Sequence, residues 1–201
     1  MKSITYAEFL DFDPCYLGDP KKKALMDSIA QRQDRWTALD ILELKEIPDV
    51  HKLWAVLHEE LIDDEELHKF ACLCAERALN RVENPDPRSV AAIAAKRVWL
   101  RGEITNKELR VVRDAALDGD RNVLLESAAA AARTAAWAAA LEDATAAAMD
   151  STQAAAWVAE RAAAKPAAWA SERAAAEPAA WASERAWQVE ELKKMLMEVE
   201  A

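Results

Sequence analysis

No glycine occurs after residue 119, and roughly two-fifths of residues 120–201 are alanine. Alanine is the strongest helix former, and glycine is the residue that most readily breaks a helix without a proline. A stretch of this kind is confined to helix. The whole chain points the same way: it has 3 glycines in 201 residues and few β-branched positions. The fold class expected is therefore all-α, a multi-helix bundle with a long alanine-rich helical hairpin. Alanine lets backbones approach but buries little area. The tryptophans at 137, 157, 169, 181 and 187 supply the missing apolar surface, ~150–250 Å² each.

Composition divides the chain into a mixed helical region, 1–119, and an Ala/Trp-rich region, 120–201, that packs on it or on a second subunit. In the first region, helix starts are written as capping signals. Thr5 with Glu8, Asp63 with Glu66 and Thr105 with Glu108 have the spacing of capping boxes. Asp19-Pro20 and Asp86-Pro87 read as N-cap followed by proline at N1, and Pro48 opens a further helix. Gly102 is placed to end the helix that begins at Pro87. In the second region we expect two long helices, about 121–148 and 152–198, with a turn at Asp150-Ser151-Thr152. Near the end, Val189, Leu192, Leu196 and Val199 form a short amphipathic seam, against the domain or a second chain.

A twelve-residue unit is repeated three times inside this region, at 154–165, 166–177 and 178–189. Each copy carries a tryptophan and, four residues later, an arginine: Trp157 and Arg161, Trp169 and Arg173, Trp181 and Arg185. Residues i and i+4 share a helix face, so each guanidinium can lie over its own indole. Twelve residues at ~100° each rotate the face by ~120° per copy. The three pairs align only if about one residue per copy is absorbed, and Pro166 and Pro178 are the candidates for that. We expect a continuous helix kinked near both prolines, because no glycine or asparagine turn flanks either. The units are either packing devices or binding positions, in which indoles stack a base and guanidinia pair with phosphate.

Lysine and arginine number 26 against 36 acidic residues, a net charge of −10. This balance excludes a non-specific footprint on duplex nucleic acid, and it disfavours an anionic membrane surface. No apolar run reaches the ~18 residues of a membrane span, and the N-terminus has no signal-like apolar stretch. Three cysteines, at 15, 72 and 74, suit a reducing cytosol. No metal or cofactor is expected.

Two further clusters carry charge. His51 and His58 lie beside Glu59, Glu60, Asp63 and Asp64. Together with His68 they read as exposed histidines on a solvated acidic patch, with a metal or acid–base site as the alternative. Arg77, Arg81, Arg88, Arg97 and Arg101 surround the Asp86-Pro87 turn. They form salt bridges to Glu76, Glu83 and Asp86, or they line an anion pocket, with Arg88 and Arg97 the candidates for ligand contact. Lys21-Lys22-Lys23 reads as a solvated run. There is no phosphate-binding glycine loop, nucleophile elbow or metalloprotease motif, so the chain is read as a non-enzymatic protein.

The segments LHKFACLCAERAL (67–79) and DPRSVAAIAAKRVWLRGEITNKEL (86–109), followed by an Ala/Trp/Arg-rich tail, resemble a family of immunity proteins found in bacterial and phage genomes. The resemblance spans about 37–190 and supplies no catalytic residues. It implies a role in conflict between phages and bacteria. The expected function is an anti-defence protein that sequesters a small nucleotide-derived immune signal in the host cytosol, as a homo-oligomer. The alternatives are an immunity or inhibitor protein that binds a toxin or effector protein, and a structural helical oligomer.

Overall fold

The computed structural model describes residues 2–117, 128–164 and 170–200, with the backbone alone for 15, 117, 164, 170–175 and 200. It is an all-α multi-helix bundle. In chain order it comprises β1 (Ser3–Ile4), α1 (Tyr6–Leu10), a 3₁₀ turn (Cys15–Gly18), α2 (Pro20–Ala30), β2 (Trp36–Thr37), α3 (Ala38–Leu42), α4 (Asp49–Val56), α5 (Asp64–Asn80), α6 (Pro87–Leu100), α7 (Asn106–Leu117), α8 (Ala128–Ala139), α9 (Ala144–Ala164) and α10 (Ala170–Glu200). The two strands pair antiparallel, Ser3 with Thr37 and Ile4 with Trp36. Two residues per strand are too few for any alternation to be read in sequence.

Local signals account for most helix starts. Thr5 and Glu8 form a reciprocal capping box, and Thr105 and Glu108 do the same, with backbone-to-side-chain bonds of 2.8 and 3.3 Å. Asp19 and Asp86 cap α2 and α6 through their carboxylates. Gly102 adopts φ +73°, the left-handed conformation that ends α6 and that glycine takes without strain. Asp63 departs from expectation: it occupies the N-cap of α5 but its side chain makes no cap bond.

Helix α5 is the centre of the bundle. Leu67, Phe70, Ala71, Cys72, Cys74, Ala75 and Ala78 are each fully enclosed. Helices α6, α8, α9 and α10 all pack on it, which is why Cys72 and Cys74, on different faces, are both buried. Burial pushes the Cys72 thiol up to about 11, so it is held as an unreactive thiol. One apolar cluster runs from Ile4 to Leu196; the alanine-rich helices thus share a core with the first half of the chain. Val189, Leu192 and Leu196 of the expected seam are buried in it, and Val199 is exposed.

The alanine-rich hairpin is present with a shifted turn. Helix α9 passes straight through Asp150, Ser151 and Thr152, where a break was expected. The hydroxyls of Ser151 and Thr152 bond back to the carbonyls of Ala148 (3.2 Å) and Met149 (2.7 Å), so they satisfy the helix internally and do not cap a new one. The break falls instead at 140–143, where the Asp143 carboxylate accepts from the Ala146 amide at 2.7 Å. Three side chains hold this corner. Lys96 Nζ donates to the Leu141 carbonyl. Asn106 and Arg110 both donate to the Glu142 carboxylate. Helix α10 is continuous through Pro178, as expected. The single helix expected over about 152–198 is instead two, α9 and α10, which pack on each other so that Arg185 reaches Gln153, a contact that one continuous helix would hold about 48 Å apart. Pro166 lies outside the described residues.

Candidate ligand-contact site

The third repeat copy lies on α10 and faces inward. Glu184 is fully buried and accepts from Arg77 Nε of α5 at 2.9 Å and from Nη2 of Arg81, the C-cap of α5, at 2.5 Å. The Arg77 guanidinium also lies 4.0 Å from the centre of the Trp187 ring. The next residue, Arg185, is 4% exposed and sits 5.0 Å over its own Trp181. It donates to Gln188 at 3.0 Å and to Gln153 on α9, and Gln188 in turn donates to the Thr152 carbonyl at 3.0 Å. Burial pulls the Arg185 pKa down, and the neighbouring Glu184 partly opposes this. A buried acid and a buried base, side by side in sequence, thus take partners from different neighbouring helices, although the Arg185 Nε is left without one. In this copy the Trp–Glu–Arg unit is a packing device.

The first copy lies on α9 and is open. Trp157 is 39% exposed, and the Arg161 guanidinium sits 5.7 Å over its ring. The Arg161 Nη1 is enclosed and has no hydrogen-bond partner. Both described pairs therefore show the i, i+4 stacking read from sequence. No described bond or ring contact links the Trp157 pair to the Trp181 pair, although the helices that carry them, α9 and α10, pack on each other and Arg185 reaches Gln153, one turn before Trp157. Trp169 and Arg173, the second copy, fall outside the described side chains.

The remaining candidates are occupied by acids. Arg88 donates to Asp86 through Nε at 3.0 Å and Nη2 at 2.7 Å. Arg97 grips Glu76 in the same two-pronged manner, at 2.7 and 2.8 Å. The salt-bridge reading of the arginine cluster holds for these two, with Arg101 on Glu103. The partner of Arg77 and Arg81 was missed: Glu184 lies 107 residues away from Arg77, and nothing local marks it.

The histidines also differ from the sequence reading. His51 is exposed, but His58 is half-buried against Phe12, with ring centres 3.9 Å apart, and His68 is 3% exposed against Trp99. Burial, then the charge of Lys96, pull the His68 pKa down to about 4. Lys96 is itself enclosed, 3.7 Å over the Trp99 ring, and desolvation lowers its pKa to about 7. Among the described residues, no group of three His, Cys, Asp or Glu is placed to hold a metal ion, and no helix is long and apolar enough to cross a membrane.

No protein-family model matches the chain. No curated protein and no solved structure matches it.

Proposed function

We propose that this chain is a non-enzymatic binding protein of phage–bacteria conflict, which sequesters a small nucleotide-derived signal in the host cytosol. The observation that carries this reading is the Trp157–Arg161 pair. It offers a partly exposed indole face and, beside it, a guanidinium with an unpartnered donor. A nucleotide has the two parts that such a pair takes. The base stacks on the indole, at roughly 1–3 kcal/mol per base. A phosphate oxygen accepts from the guanidinium, whose fixed fork suits it better than an ammonium would. A net acidic protein can hold such a ligand because the local charge at the pair decides. Titration calorimetry against cyclic di- and trinucleotides and ADP-ribose derivatives tests the reading. Binding that disappears in Trp157→Ala and Arg161→Ala is expected, and a folded sample that binds none of these ligands defeats it.

A protein partner is the second reading. It is favoured by the net charge of −10 together with Met197 and Val199, which are 53% and 58% exposed at the end of α10. An acidic surface with an apolar spot suits a basic toxin or nucleic-acid-binding effector. A stoichiometric protein captured from host lysate, with no nucleotide bound, would select this reading over the first.

A further inference from the structure

A cleft of about 180 Å³ opens among α1, the 3₁₀ turn, α2, β2, α3 and α4, far in sequence from the Trp–Arg units. Tyr6, Phe9, Tyr16, Trp36 and Trp54 contribute five aromatic side chains to its lining, and Ile29 and Ile41 are among the aliphatic ones. Engineered cavities of about 150 Å³ with apolar linings stay dry and take up benzene. This cleft has room for one ring of that size with a small substituent.

Several polar groups at its wall are already used, and its charged or titratable residues, Lys22, Glu46 and His51, are exposed. Tyr6 Oη donates to Asp27 at 2.9 Å and lies 3.3 Å from Tyr16 Oη. The Thr5 hydroxyl caps α1. At the mouth, Glu46 is paired with Arg32 at 2.8 Å and Lys22 lies 4.0 Å from Asp19. None of the buried polar atoms without a partner lies on this lining. A charged ligand would therefore leave water for a lining that offers it no buried charged partner. The aromatic side chains instead favour a ring. Phe9 already meets Trp54 edge-on at 6.1 Å and stacks with Tyr16 at 6.4 Å, and a bound ring extends that cluster by the same offset and edge contacts.

We propose that this cleft is a binding site for a neutral, single-ring aromatic molecule, distinct from the Trp157–Arg161 pair. Toluene is the probe. In ¹H–¹⁵N NMR titration of the full chain it should bind saturably and shift the amides of residues 4–9, 25–30 and 41–55. Ala55 is buried on the lining, and Ala55→Phe fills the space; the affinity for toluene should fall at least tenfold. Should that variant fail to fold, Ala30→Phe, at the partly exposed end of α2, gives the same test. The proposal is overturned if wild-type shows no saturable binding, or if the filled variant binds as well as wild-type. It is overturned equally if phenyltrimethylammonium or methylcyclohexane binds as tightly as toluene.

Discussion

Arg77 on α5 donates through Nε to Glu184 on α10 at 2.9 Å, joining two segments 107 residues apart. Glu184 is fully buried, while Arg77 and Arg81 keep about a third of their side chains in water. Removing a buried partner costs more than the pair contributes, because the charge left behind is no longer compensated. Here the orphaned arginines can rehydrate in part. Glu184→Ala should therefore destabilise by roughly 3 kcal/mol, at the low end of the range for broken buried pairs. Glu160, the equivalent residue of the first copy, has no described ion-pair partner, and Glu160→Ala should stay within about 0.5 kcal/mol. Urea unfolding of both variants checks the contrast.

His68 makes the fold acid-sensitive in a defined window. Its pKa is about 4 in the fold against an ordinary 6.5, so between these values the unfolded chain binds the extra proton and the folded one does not. Stability should fall as pH drops from about 6.5 to about 4, by roughly 3 kcal/mol in all. His68→Gln should flatten that part of the curve. Denaturant midpoints at pH 7 and pH 4.5, wild-type against variant, measure the effect.

Lys96 acts in a separate, alkaline window. Its folded pKa of about 7 lies below the ordinary 10.5. The unfolded chain again holds more protons between the two values, so stability should rise with pH from about 7 towards 10.5, with a slope of at most about 1.4 kcal/mol per pH unit. Lys96→Met should remove this rise, and it should lower stability at high pH because the Leu141 carbonyl loses its donor. Thermal unfolding followed by circular dichroism at pH 7, 8 and 9 distinguishes the two curves.

What sequence could and could not show divides along physical lines. Capping and alanine propensity are local, and they placed Thr5, Asp19, Asp86, Gly102 and Thr105 correctly at helix ends. The i, i+4 relation of Trp157 to Arg161 and of Trp181 to Arg185 is equally local. The hairpin turn was misplaced because Ser151 and Thr152 have two hydrogen-bonding options, and tertiary packing selected the bond back into the helix. The different fates of the Trp–Glu–Arg units are not marked within the unit itself. Both α9 and α10 pack on α5, but Glu184 faces it whereas Trp157 stays 39% exposed, and which face is turned inward is a long-range fact. The same holds for His68, which is buried with its ring against Trp99 on α6, 31 residues on, and not exposed among its acidic neighbours in sequence.

The close approach of α8 and α9 depends on small side chains. Ala135, Ala136 and Ala139 on α8 and Ala147 and Ala148 on α9 have no exposed surface. A leucine here gains helix-compatible apolar bulk but has no space to enter. Ala147→Leu should cost about 1–3 kcal/mol through forced separation of the two helices, whereas Ala→Leu at an exposed α10 position such as Ala186 should be close to neutral. Denaturant midpoints of the two variants make the comparison.

The repeat copies supply the sharpest separation of structure from binding. Arg185 is enclosed with Gln153 and Gln188, so Arg185→Ala strands both amides and should lose roughly 1–3 kcal/mol of stability. Arg161 has no described ion pair or hydrogen bond, and its Nη1 is unpartnered. Removing it takes away an unsatisfied buried donor, so Arg161→Ala should leave stability within about 1 kcal/mol of wild-type or raise it. The order reverses for ligand. If the open pair holds a nucleotide, Arg161→Ala and Trp157→Ala should each weaken binding at least tenfold in calorimetry, corresponding to about 1.4 kcal/mol. Arg161→Lys should recover only part of the affinity, since an ammonium cannot present the two-pronged contact. A binding loss that tracks the unfolding midpoint across all four variants would assign the repeats to packing alone.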